Sequence, residues 1–178
     1  LLVRGPAGLA NVGHDAPCVF LLGGGLLYDQ AMPGDHMGLM VQRQLRGLMR
    51  VPVEVPSLPT VDGYASQQWQ LFERFFQAFR PDVVVLGIGS EEFALDEVTG
   101  KPRSSRAILG STIRAARAWC EANERHLVLF ADWSAPNAAM LELREHEAAG
   151  VPLVVAREGH ARIESARDLA AACREFLK

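Results

Sequence analysis

The chain has 178 residues, 49% of them apolar and 22% charged, with a net charge of -3. That length fits one domain able to bury its own core, and that balance excludes both a disordered chain and a membrane one. No stretch approaches the ~20 apolar residues of a membrane span, and no dense basic run offers a nucleic-acid or phospholipid surface. Neither a membrane nor a nucleic acid is therefore expected as a partner.

Residues 1–17 are rich in Gly, Ala and Pro without a sustained period, which predicts a lead-in arm ahead of a single domain over 18–178. The chain starts at Leu1 with no signal pattern, as expected of a domain cut from a longer protein. Cys18, Cys120 and Cys173 are odd in number, far apart and set in apolar-periodic segments. Buried free thiols follow from that, and with them a reducing, cytoplasmic setting.

Cys18–Leu22 is apolar on both faces and closes on Gly23-Gly24-Gly25, the pattern of a central parallel strand ending in a glycine turn. Asp35–Arg50 is predicted as a helix with Met37, Met40, Val41, Leu45 and Leu48 on one face. Val51–Val55 alternates like a strand, and Pro52 suits an edge. Tyr64–Phe79 is predicted as a helix whose aromatic stripe, Trp69, Phe72, Phe75, Phe76 and Phe79, belongs to the core. Val83–Leu86 is continuous and β-branched between Pro81 and Gly87, hence a central strand. Helices over Ser104–Asn123, Pro136–Ala149 and Arg162–Leu177 alternate with strands at His126–Ala131 and Pro152–Ala156.

Alternating strands and helices imply right-handed crossovers and a parallel sheet covered on both faces. The expected architecture is a flavodoxin-like three-layer α/β/α sandwich with a five-stranded parallel sheet. Ligands of such sheets sit beyond the carboxyl ends of the strands. Gly23–Gly34, Ser57–Gly63, Gly87–Glu92, Asp132–Ala135 and Arg157–His160 should therefore assemble any site.

In element order and in these blocks, the chain resembles the SGNH (GDSL) hydrolases. The resemblance places Gly23-Gly24-Gly25 on the family's Gly-Asp-Ser block, with Gly25 at the nucleophile serine and at one oxyanion-hole position. Gly63, in Pro59-Thr60-Val61-Asp62-Gly63, matches the glycine whose N–H completes that hole. The family's Gly-x-Asn-Asp block falls on Gly89-Ser90-Glu91-Glu92, with Glu91 at the asparagine. Its Asp-x-x-His block falls on Arg157–His160, keeping the histidine but putting Arg157 at the aspartate.

These substitutions oppose serine acyl transfer. Gly25 has no hydroxyl to activate. An ionised Glu91 would repel a developing oxyanion by on the order of several kcal/mol, and Arg157 would favour a neutral imidazole while removing the acceptor that orients it. A domain binding a small molecule or a protein partner, or a scaffold, is the leading expectation. Gly23, Gly24, Asp35, His36, Ser90 and Arg157 would line its cleft, with no cofactor and no metal.

Alternatives stay open. His160 with Glu91, and with Ser90, Ser66 or a water as nucleophile, could make a non-serine esterase or acyltransferase. His36 and His160 could meet across the cleft, and Arg157 could pair with Glu91. The Gly23–Gly25 turn could cradle the phosphate of a nucleotide, although it lacks the Lys-Ser/Thr of a P-loop. Asp29, Asp35, His36, Glu91, Glu92 and Asp132 gather acidity that could hold a cation, against the reading of solvated loop charge.

Overall fold

The computed structural model describes residues 16–23, 37–59, 64–95, 99–102, 104–132, 134–158 and 162–177. The predicted arm, except for its last two residues, and the sequence positions Gly24, Gly25, Asp35, His36, Gly63 and His160 lie outside the described residues. Five parallel strands form one sheet: β1 (Val19–Gly23), β2 (Ser57–Pro59), β3 (Val83–Ile88), β4 (His126–Ala131) and β5 (Leu153–Val155). Their spatial order is β2-β1-β3-β4-β5, the flavodoxin-like order, whose switch point falls between β1 and β3.

Side-chain alternation along the strands explains the three layers. Phe20, Leu22, Val84, Leu86, Leu127 and Leu129 face one side. They pack there against α2 (Ala65–Leu71), α3 (Arg106–Ala122) and α4 (Asn137–Ala148). Val19, Leu21, Val83, Val85, Val128 and Phe130 face the other, against α1 (Met37–Met49) and α5 (Arg162–Arg174). All of β1 and β3 is buried, so their apolar runs need no polar face.

Two expectations change. The edge strand lies at Ser57–Pro59 rather than Val51–Val55, within which only Glu54 bridges, to Cys18. Pro56 accepts a bond from the Leu21 N–H at 2.9 Å but has no N–H to return, which interrupts the ladder. The predicted helix over Tyr64–Phe79 leaves α-geometry after Leu71. It continues as a π-helical segment, Phe72–Phe76, and a 3-10 turn, Gln77–Phe79. The wider turn rotates the stripe, so Trp69 and Phe72 are buried whereas Phe75 is 57% exposed. Arg80, ahead of Pro81, ends the segment in the left-handed region at φ 46°.

Cys18, Cys120 and Cys173 are free and buried, as expected. Burial, the largest cause for each, pushes all three thiols up to about 12. None should react with a disulfide-exchange reagent at pH 8 until the protein is unfolded; titration of any of them in the native state would contradict this packing.

Two helical glycines give opposite expectations. A methyl group at Gly47 on α1 would meet nothing within 4 Å, so Gly47→Ala should stabilise by about 0.5–1 kcal/mol. At Gly110 on α3 it would strike the Glu142 carboxylate of α4. That carboxylate is buried and bonds Arg106 Nε at 2.9 Å, with His146 Nε2 at 3.3 Å. Gly110→Ala should cost about 1–2 kcal/mol net, because displacing a paired buried carboxylate outweighs the helix-propensity gain. Thermal melts of the two variants should move in opposite directions.

Candidate functional site

Parallel pairing sets where the candidate residues fall. Leu22 lies opposite Leu86 and also opposite Leu58, so β1 runs out at Gly23 with Pro59 on one side and the β3 exit on the other. Beyond Ile88 the chain turns at Gly89 into a single 3-10 turn, Ser90–Phe93. Glu91 and Glu92 therefore follow directly on the end of β3, one of the two strands that flank the switch point where crevices form in sheets of this order.

The two neighbouring glutamates have different surroundings. Glu92 is 1% exposed. Its carboxylate accepts the Ala65 N–H at 2.8 Å and the Ser104 hydroxyl at 2.9 Å. It thereby ties the β3 exit to the first residue of α2 and to the segment just before α3. Burial pushes the Glu92 carboxyl above the ordinary glutamate range and the Glu91 charge adds to the rise, while the bonds from Ala65 and Ser104 oppose it. Reading Glu92 as solvated loop charge is thus incorrect. Sequence reasoning grouped it with the loop acids, although it takes the fourth place of the block whose third is Glu91.

Glu91 folds back over its own turn. A methyl group at Gly89 would lie 2.6 Å from Glu91 Oε2 and 3.0 Å from Oε1, so a side chain there would make the carboxylate shift. Oε2 has the exposed Ser90 hydroxyl at 3.5 Å, the outer limit of a hydrogen bond. Oε1 is shut off from solvent and has no partner among the described residues. The Ser90–Glu91 contact is longer than an ordinary hydrogen bond between a nucleophile and its base.

The expected pairing of Arg157 with Glu91 is not made. Arg157 follows β5, at the far edge of the sheet, and is exposed with no ion pair among the described residues. Asp132, at the end of β4, accepts the Ser134 hydroxyl at 2.8 Å in a local turn, which the intramolecular bonding of short acids favours. No group of three or more His, Cys, Asp or Glu suited to a metal occurs among the described residues. No described helix is long and apolar enough to cross a membrane.

Glu92→Ala should destabilise by about 1–3 kcal/mol, since it leaves the Ser104 hydroxyl buried without its partner. Glu92→Gln, which can still accept from Ala65 and donate to Ser104, should lose less than about 1 kcal/mol. A carboxyl raised in the folded state binds its proton more tightly there than when unfolded. Its contribution therefore falls as pH rises from the ordinary glutamate value through the raised one. Melts against pH should show wild type losing ground to Glu92→Gln across that window; parallel curves would contradict the raised carboxyl.

No family model matches the chain. No curated protein sequence matches it significantly either. Solved structures do match. A lipase/acylhydrolase from Enterococcus faecalis superposes with a TM-score of 0.68 at 14% identity, covering 91% of this chain and 97% of that one. An acetyl-xylooligosaccharide esterase (W190I mutant) from a Geobacillus species gives 0.64 at 12% identity, over 93% and 95%. A GDSL-like lipase from Bacteroides thetaiotaomicron gives 0.55 at 9% identity, over 88% and 86%. The chain thus has the five-stranded parallel α/β fold of the GDSL/SGNH lipases and esterases along nearly its whole length.

Proposed function

We infer that this chain is an SGNH-hydrolase-like domain without serine acyl-transfer chemistry, one that binds a small molecule or a partner, or acts as a scaffold. The observation that carries this reading is Glu91. By the family resemblance a carboxylate takes the block position at which the family's amide donates to the oxyanion, and it lies in the turn that follows β3. An ionised acceptor there opposes the charge that develops in acyl transfer. The sequence supports the same reading at Gly25, where the nucleophile hydroxyl is missing, and at Arg157, where the orienting aspartate is missing.

An enzymatic reading, with His160 and Glu91 activating a water, has less support. Glu91 makes no contact that would orient it as a base toward a described group. Phosphate binding at Gly23–Gly25 is disfavoured by the carboxylates beside the β3 exit.

Purified protein should not hydrolyse short nitrophenyl esters and should not be labelled by a fluorophosphonate probe. Gly25→Ser alone should restore no more than a trace of turnover, because Glu91 and Arg157 remain. Serine-dependent hydrolysis or labelling by the unmodified chain would overturn the reading.

A further inference from the structure

The two edges of the sheet are finished differently. At the β2 edge, Pro56 accepts the Leu21 N–H, so by alternation Ser57 and Pro59 turn their backbone groups outward. Ser57 is buried, and Pro59 has no N–H to offer a further strand. At the opposite edge, all three residues of β5 are half-buried, whereas β1 and β3 are buried throughout. The Leu129 N–H donates to Pro152 O and the Ala156 N–H to Ala131 O, both at 2.8 Å. Residues 152, 154 and 156 therefore face β4, and Leu153 and Val155 turn both N–H and C=O away from the sheet. Among the described residues nothing bonds those outward groups.

An open edge is normally guarded by proline or by charge. Pro152 gives no such guard, because the side on which its N–H is missing is the side that faces β4. Residues 148–156 carry no charge, and Val154 and Val155 favour extended backbone. The outer edge of β5 is thus a short, uncharged row of free donors and acceptors.

We propose that β5 pairs antiparallel with β5 of a second copy of this chain, joining the two sheets into one. The strand is complementary to itself. With a two-fold axis at Val154, Leu153 exchanges both N–H···O bonds with Val155 of the second copy, and Val155 does the same with the copy's Leu153. Between them Val154 meets Val154 of the copy in the closer, non-hydrogen-bonded pair, where aliphatic side chains touch. Charge fixes the direction. In this register Arg157 falls opposite Val151 and Glu158 opposite Gly150, so no like charges meet, whereas in-register parallel pairing would set Arg157 against Arg157. The pairing uses none of the groups that bear on acyl transfer chemistry, so it stands apart from the reading of the candidate site.

Sedimentation and backbone amide hydrogen exchange of the whole chain test it together, at about 5 µM and about 500 µM protein. A dimer with a dissociation constant below about 100 µM is expected, as suits a small interface. The Leu153 and Val155 amides should exchange at least about tenfold more slowly at the higher concentration, while those of Val154 and Ala156, bonded to β4, stay protected at both. Val155→Pro removes an outward donor and leaves the ladder to β4 untouched, so it should weaken the dimer at least about tenfold and keep a cooperative melt. If that variant does not fold, the exchange pattern of the unmodified chain decides alone. A monomer at both concentrations would overturn the proposal, and so would a dimer whose Leu153 and Val155 amides gain no protection, or one that folded Val155→Pro leaves intact. Protection of those amides in a monomer, independent of concentration, would assign the edge to a segment of the chain itself and overturn it equally.

Discussion

Parallel pairing of β1 with β3 is the constraint on which the molecule depends. The ladder from Val19↔Val83 to Leu22↔Leu86 buries both strands completely and joins two core layers through one sheet. Its foot is held by Asp82, whose carboxylate accepts the Cys18 N–H at 2.8 Å and pairs with Arg125 at 2.9 Å. Cys18 O in turn accepts from the Asp82 N–H at 2.8 Å. With the foot fixed, the length of the two strands decides where they end. The exits of β1 and β3 then lie side by side at the point where strand order reverses.

From that point two consecutive glutamates diverge, for a reason found in the turn that carries them. The 3-10 turn after Gly89 directs Glu92 inward, where a helix start and a serine hydroxyl satisfy it, and lays Glu91 against the glycine. Glu92 acts as a tie among three segments, and its worth lies in partners that would otherwise be unsatisfied. Glu91 has the opposite character, with one carboxylate oxygen that no described residue reaches.

Much of the fold was legible because its elements are long and strongly patterned. The β4 strand follows from a continuous apolar segment, and the fully buried runs of β1 and β3 from apolar segments bounded by proline and glycine. The helix α3, with Ser105 accepting the Ile108 N–H at 3.3 Å, follows from periodicity and a capping residue. Less was legible where one residue type can serve two roles. Pro52 and Pro56 both mark an edge strand, and only the backbone bonds from β1 decide which stretch pairs. The aromatic stripe fits a regular helix, and the π-helical turn that exposes Phe75 has no signature in its spacing.

The candidate site divides along the same line. Sequence by itself determined the fold class and the thiol state, because patterning and residue identity are local properties. Only the tertiary structure decided that Arg157 stands apart from Glu91 and that Glu92 is a buried tie. It alone showed that Glu91 keeps an oxygen without a partner among the described residues. Those are facts about which donors reach which acceptors across ten or more residues of chain, and a hydrogen bond depends on distance and direction in space, neither of which is written in residue order.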